Sequence, residues 1–333
     1  MKLLTISLTN FLSTRMPTKD NLPTCNVDND VIANIRQTIV KFLQRCGLQY
    51  TPVMIDQTLH TKCCQEAINR GFPMSDGDYS IRPYMHIGVA MSTIAYGHLT
   101  DCTTKMWICL FTAVGICIDD TLNRGQKMDD VYRFNERFSN CQAQGDPVLN
   151  AWDVLLREAP RHYSLLVSNL IITSALDFVS GLLLEYETKD MGVSKEAPLY
   201  PEYSRLLSGL AHGFGFFVFP STVPLQEYIQ CMPDLMFFLN HTNDILSYYK
   251  EEIEGDTTNY LSLVAASRGS TKQDALYEAI SKTVQAHHNI LKCLEPHPEA
   301  YEAYAKCCHG YINFHTALRR YKLKDILSEG SGL

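Results

Sequence analysis

The sequence has no C-x-x-C pair, no surplus of basic charge, no bilayer-length apolar run and no convincing period-two alternation of apolar and polar residues. Each absence excludes something. Twelve cysteines are spread over 333 residues, singly or as neighbours at Cys63–Cys64 and Cys307–Cys308, so zinc-type spacing is missing. Many sit in apolar runs such as WICLFTAVGICI, which predicts buried free thiols in a reducing cytosol and a cytoplasmic protein. A formal charge of −7 and a pI of about 5.9 leave no basic field to attract nucleic acid or anionic lipid. The longest apolar run, residues 106–118, is shorter than the ~18–20 residues a spanning helix needs, so no membrane span is expected. The N-terminal MKLLTISLTNFLSTRM faintly mimics a signal peptide, but Thr5, Ser7, Thr9 and Asn10 interrupt it and no small-x-small cleavage site follows. Residues 1–25 read as a loosely attached arm. With no internal repeat, no low-complexity tract and no linker, residues 26–333 are expected to form a single domain.

What the sequence does have is helical spacing. DVIANIRQTIVKFLQRCG places Val31, Ile35, Ile39, Phe42 and Leu43 on one stripe, with Gly47 as C-cap. Further helices are predicted near 53–69, 83–101, 102–121, 129–141, 147–158, 161–188, 200–212, 224–252, 258–268, 271–294 and 297–320. Breaks are predicted at 71–80, 123–130 and 190–198. FGFFVFP, residues 214–220, reads as a break between helices, because glycines and Pro220 bracket it. The fold class is therefore all-α, with long helices apolar on most sides around a filled core or a cavity.

Two stretches carry chemistry. WICLFTAVGICIDDTLNRG ends an apolar helix in Asp119 and Asp120. Acids are badly placed at a helix C-terminus, which already carries partial negative charge, so a cation should compensate. Asp119 and Asn123 share a face, while Asp120 points elsewhere. Carboxylate oxygens at the end of an apolar wall suit Mg²⁺, a hard ion. In NDILSYYKEE, Asn243, Ser247 and Glu251 step by four residues. Successive side chains drift about 40° and rise about 6 Å, forming a shallow line on one face. Helix side chains lean toward the N-terminus, so Glu251 can reach back toward Ser247. One carboxylate, one amide and one hydroxyl can together hold a small cation. Asp244, Glu252 and Glu254 read as an ordinary exposed face. Arg205, Lys250, Arg319, Arg320 and Tyr321 supply basic and polar partners; beside two oxygen-rich motifs they suggest a polyanion such as a diphosphate.

These residues carry a resemblance. DDTLN at 119–123, ALDFVSGLLLEY at 175–186, YPEYSRLLSGLAHG at 200–213, NDILSYYKE at 243–251 and HGYINFHTALRRY at 309–321 resemble the trichodiene synthase family of fungal class I sesquiterpene cyclases. The similarity runs from about residue 30 to 326. It implies a class I terpenoid synthase helical bundle around an apolar active-site cavity. It further implies Asp119 as a metal ligand, Asn243, Ser247 and Glu251 as the second metal triad, and Arg205, Lys250 and Arg320 as diphosphate donors accompanied by Tyr321. Three Mg²⁺ ions, with Mn²⁺ as a substitute, farnesyl diphosphate as substrate and a homodimer are implied in the same way. Asn123 departs from the commonest motif, which has an acid there. NDILS, where a chain-elongating prenyltransferase has a second aspartate-rich motif, points away from that class. A helical binding protein without catalysis is the remaining alternative. Phe111, Thr112, Gly115, Ile116, Phe178, Phe214, Phe216, Phe217 and Asn240 are candidates for the cavity wall.

Overall fold

The computed structural model describes residues 29–49, 51, 53–76, 79–123 and 127–327; the predicted arm at 1–25 lies outside them. The described residues form fifteen α-helices, in chain order α1 (Asn29–Arg45), α2 (Gln57–Asn69), α3 (Met85–Ala90), α4 (Cys102–Asn123), α5 (Met128–Tyr132), α6 (Phe134–Ser139), α7 (Pro147–Glu158) and α8 (Leu165–Thr188). The second half holds α9 (Tyr200–Ser208), α10 (Ala211–Phe217), α11 (Met232–Glu254), α12 (Tyr260–Arg268), α13 (Lys272–Leu294), α14 (Pro298–Ala317) and α15 (Leu323–Leu327). No strand occurs among the described residues.

Local chemistry explains most boundaries. Asp146 accepts from the N–H groups of Val148 and Leu149 and starts α7; Asn259 and Thr271 cap α12 and α13 in the same manner. Gly47, Gly255 and Gly269 take the left-handed conformation after α1, α11 and α12. On α1, Ile35, Ile39, Phe42 and Leu43 are buried as the stripe predicted, whereas Val31, in the first turn, is exposed.

Six segments differ from expectation. The helix predicted over 83–101 stops at Ala95, because α3 runs into a π turn at Met91–Ala95. That turn lies against α14 at Gly310, where a β-carbon would collide with the Ile94 carbonyl. The stretch 129–141 divides at Arg133 into α5 and α6. FGFFVFP is not a break: its first four residues complete α10. The interruption falls earlier, at Gly209 and Leu210, and ends the helix predicted over 200–212. Two 3₁₀ turns precede α11, which begins at Met232 rather than near 224. The last long helix ends at Ala317; Leu318 is extended, and Arg319–Tyr321 form a 3₁₀ turn.

α4 and α8 are central. The stretches Cys102–Leu122 and Leu165–Thr188 are long and apolar enough to cross a membrane by length and composition, a wider reach than the run 106–118 suggested. The protein itself covers 67% of the first and 50% of the second. α4 packs on α3, α7 and α8; α8 packs on α9 and α10; α11 packs on α10 and α13. The core between them is rich in aromatic rings. Phe111 meets Trp152 at 4.4 Å, Phe217 at 5.2 Å and Phe214 at 5.9 Å between centroids, the two phenylalanines edge-on. Such pairs add about 0.5–1.5 kcal/mol each beyond area burial and fix ring orientation. Cys46, Cys63, Cys109, Cys117, Cys231, Cys307 and Cys308 are buried and take part in no disulfide, as their apolar surroundings predicted.

Candidate active site

Two chambers meet between α4, α8, α9 and α11. The lower one, ≈ 190 Å³, is walled by Phe111, Thr112, Ile116, Phe178, Phe214 and Phe314 among others. Gly115 also faces it, whereas Phe216 and Phe217 pack behind the wall. The upper one, ≈ 390 Å³, is lined by Asp119, Glu185, Arg205, Asn243, Asp244, Glu251 and Asp256. Asp119, Phe178, Arg205, Ser208 and Asn243 line both and form the waist. Thus Asp119 of the first motif and Asn243 and Glu251 of the second, on separate helices, border one space above an apolar cavity, while Ser247 is buried and lines neither chamber.

The carboxylates there are electrostatically strained. Burial pushes Asp119 up to about 6, and Asp120 and Glu185 add to it, against Arg320 and Arg205. Burial pushes Glu251 up to about 7; the Ser247 hydroxyl bond and Lys250 oppose this, while Asp244 and Asp256 reinforce it. Glu251 therefore does reach back to Ser247, whose hydroxyl also lies 3.4 Å from the Asp244 carbonyl oxygen. Among the described residues no three His, Cys, Asp or Glu side chains form a metal cluster. The donors available are instead carboxylate, amide and hydroxyl oxygens, a set that fits a hard divalent ion bound partly through water. A cation would relieve both raised carboxyl groups.

Arg205 organises the waist. Its guanidinium meets Asp244 twice, Nη2 to Oδ1 at 2.9 Å and Nε to Oδ2 at 3.2 Å. Nη2 also donates to Asn243 Oδ1 at 3.2 Å and to the Asn240 carbonyl at 3.3 Å. Burial alone would raise Asp244, but Arg205 and His241, whose Nδ1 is 3.0 Å away, hold it below the usual carboxylate range. Asp244 is thus buried and does not belong to the exposed acidic face expected for it, because Arg205 needs a counter-charge in the interior. Asn240 both lines the cavity and donates to the Arg205 carbonyl at 3.4 Å. The chain can pass this point only because residue 209 is glycine, since a β-carbon would collide with the Asn240 carboxamide oxygen. Leu210 follows at φ +52°, a left-handed conformation that costs a non-glycine residue about 1–2 kcal/mol. It turns α10 back under the cavity.

The C-terminal turn closes the wall. Arg320 and Tyr321 line the lower chamber, with the guanidinium 5.6 Å from the Tyr321 ring centroid. The Tyr321 hydroxyl accepts from Asn243 Nδ2 at 3.3 Å. His315 is fully buried beside them, and burial pushes its ring down to about 4, so it is neutral. Lys250 and Arg319 behave differently. Lys250 faces Glu254 at 3.6 Å and lies outside the residues lining either chamber; Arg319 is exposed. A residue beside Glu251 points about 100° away around the helix, which separates Lys250 from the metal line. Asn123 ends α4, and its side chain is outside the described residues. No signal in the sequence assigns a role to Glu185, Asp256 or His315. Glu185 and His315 stood inside quoted motifs, but only the bundle brings them to the waist.

Residues 85–331 match the family model described as trichodiene synthase. The chain belongs to that family. Alpha-cuprenene synthase COP6 of Coprinopsis cinerea is 33% identical over 305 residues, covering 91% of this chain and 93% of that protein. Monoterpene synthase 25 of Postia placenta is 31% identical over 252 residues, 74% of each chain. The fold is also that of 2-methylisoborneol synthase from Streptomyces coelicolor A3(2), solved with Mg²⁺ and 2-fluoroneryl diphosphate: TM-score 0.56 at 15% identity, over 83% of this chain and 97% of that one. The protein is accordingly an all-α class I terpene synthase, a carbon–oxygen lyase acting on prenyl diphosphates.

Proposed function

We propose that this enzyme is a Mg²⁺-dependent sesquiterpene cyclase of terpenoid secondary metabolism that ionises farnesyl diphosphate and cyclises the resulting cation to a C15 hydrocarbon or alcohol. The observation that carries the reading is the convergence of Asp119, Asn243 and Glu251 with Arg205 on one chamber, directly above an aromatic-walled cavity. Asp119, Asn243, Ser247 and Glu251 would hold the metal, and Mg²⁺ bound there supplies the Lewis acidity that neutralises a departing diphosphate. Arg205 and Arg320 donate hydrogen bonds to the diphosphate oxygens, with Tyr321 beside them. Lys250 would join them only through a rotamer that leaves Glu254. The protein need supply no nucleophile. Phe111, Phe178, Phe214 and Phe314 present ring faces or edges to the hydrocarbon chain, and faces stabilise positive charge. The packed wall excludes water that would quench the cation early. One domain and a cytoplasmic location complete the proposal.

A monoterpene substrate is the second reading, favoured by the relative named as a monoterpene synthase and by the modest size of the lower chamber. Purified protein incubated with Mg²⁺ and geranyl, farnesyl or geranylgeranyl diphosphate, followed by analysis of volatiles, separates them. A cyclic C15 product is expected. Products from geranyl diphosphate alone would replace the first reading with the second, and elongation only with added isopentenyl diphosphate would indicate a prenyltransferase. Turnover of none of the three would overturn the proposal.

A further inference from the structure

His315 has no part in the chemistry above, yet its hydrogen bonds decide how a neighbouring side chain is presented. Its Nδ1 is 2.8 Å from the Tyr311 carbonyl oxygen, and its Nε2 is 3.1 Å from Asn243 Nδ2. A carbonyl oxygen can only accept, so Nδ1 carries the hydrogen. In the neutral ring Nε2 is then a lone pair and needs a donor. The Asn243 carboxamide can meet it only with its NH₂ group. The second amide hydrogen goes to the Tyr321 hydroxyl at 3.3 Å, which leaves the oxygen facing Arg205 Nη2 at 3.2 Å.

The two ends of a carboxamide are nearly equal in size, so packing alone does not choose between them. The partners do. With the NH₂ end turned to the chamber, Asn243 would present hydrogens to a cation and could not bind it. We propose that His315 is a positioning residue: by accepting from Asn243 Nδ2 it locks the carboxamide with Oδ1 toward the diphosphate chamber, the orientation that can serve a divalent ion. The inference rests on reading Asn243 as a metal ligand. It assigns a task to His315 that the ring performs without touching metal or substrate.

The test is Mn²⁺ binding to the full chain with inorganic diphosphate, followed by electron paramagnetic resonance, with a thermal melt for each variant. His315→Leu removes the acceptor and is expected to weaken Mn²⁺ binding about 10- to 100-fold, the usual cost of losing such a supporting partner. His315→Gln, whose amide oxygen can occupy the Nε2 position, is expected to stay close to wild type. If the leucine variant does not fold, His315→Asn, which keeps a donor for Tyr311 but offers nothing to Asn243, should show the same loss. The decisive arm is Asn243→Asp. A carboxylate has no hydrogen to give Nε2, so this change should cost affinity beside His315 and cost less, or restore affinity, when combined with His315→Leu. A general packing defect would not reverse sign in this way. Unchanged Mn²⁺ affinity in folded His315→Leu, or equal losses in both backgrounds, would overturn the inference. Unchanged affinity in Asn243→Ala would overturn it together with the reading beneath it, and so identifies that different failure.

Discussion

The two chambers share five wall residues and treat charge in opposite ways. In the upper one, acids outnumber bases, and Asp119 and Glu251 are left with carboxyl groups that burial has pushed to about 6 and about 7. In the lower one, rings packed edge to face leave little room for adjustment, and Thr112 supplies a lone oddity: its buried hydroxyl has no hydrogen-bond partner among the described residues. The upper chamber is thus short of positive charge, and the lower one is walled largely by apolar and aromatic side chains, with Arg320, Tyr321, Asn240 and the shared waist residues as its polar part. A substrate with a diphosphate head, delivered with cations, and a hydrocarbon tail meets both needs. The difference also says where mutations should act: changes above the waist should alter whether ionisation occurs, and changes below it should alter what the cation becomes.

The sharpest way to break this division is Glu251→Ala. Turnover should fall on the order of 10³-fold or more, as for loss of a principal electrostatic contact, while the melting temperature without metal stays level or rises. The carboxylate is a cost to the folded protein, so its removal spares the fold. Wild-type turnover in this variant would place the metal elsewhere. Arg205→Ala should differ in kind. It leaves Asp244 buried and without its main counter-charge, so activity should be lost and stability should also fall by about 3–5 kcal/mol, measured by denaturant titration. An unaltered stability would mean that Arg205 is not the interior partner the geometry describes.

Acidity sharpens the contrast further. The folded-state values of Asp119 and Glu251 lie above their ordinary values of 3.8 and 4.5. Without metal, the stability these groups contribute is fully present below their unfolded values and is lost as pH rises through about 6 and about 7. Metal binding requires the deprotonated forms, so the Mg²⁺ concentration for half-maximal activity should rise as pH is lowered through the same window. Glu251→Gln should flatten the metal-free stability profile, measured by thermal melts across pH. A profile unchanged by that substitution would show that Glu251 is not the titrating group. The smallest effect belongs below the waist. Thr112→Val keeps shape and removes the hydroxyl; it should change the ratio of terpene products while Mg²⁺ dependence and the rate of diphosphate release stay near wild type. A fall in diphosphate release with unchanged products would reverse the roles of the two chambers.

Much of this was legible in the residues themselves. Helical periodicity exposes the all-α fold, and the four-residue stepping of Asn243, Ser247 and Glu251 by itself puts three oxygen-bearing side chains on one face of a helix. The helix ending in Asp119 could be read as an apolar wall with an acid at its end. Boundaries failed where tertiary contacts override local signals. Glycines around Phe214 suggested a break, but the packing of α10 on α8 and α11 makes a helix there and moves the interruption to Gly209–Leu210. Asp244 looked like an exposed acid because a one-dimensional reading cannot see Arg205 arriving from thirty-nine positions earlier. His315 was invisible for the same reason: its importance lies in Asn243, seventy-two residues away. Lys250, next to Glu251 in the sequence, lies about 100° away around the helix and faces Glu254 instead of either chamber.

The most direct measurement is calorimetric titration of inorganic diphosphate into the full chain with and without Mg²⁺, repeated for Asp119→Ala and Glu251→Ala. If both oxygen banks serve one anion through metal, diphosphate should bind tightly only when Mg²⁺ is present, and either substitution should remove that binding. Equal diphosphate affinity without Mg²⁺, or binding that survives both substitutions, would contradict it.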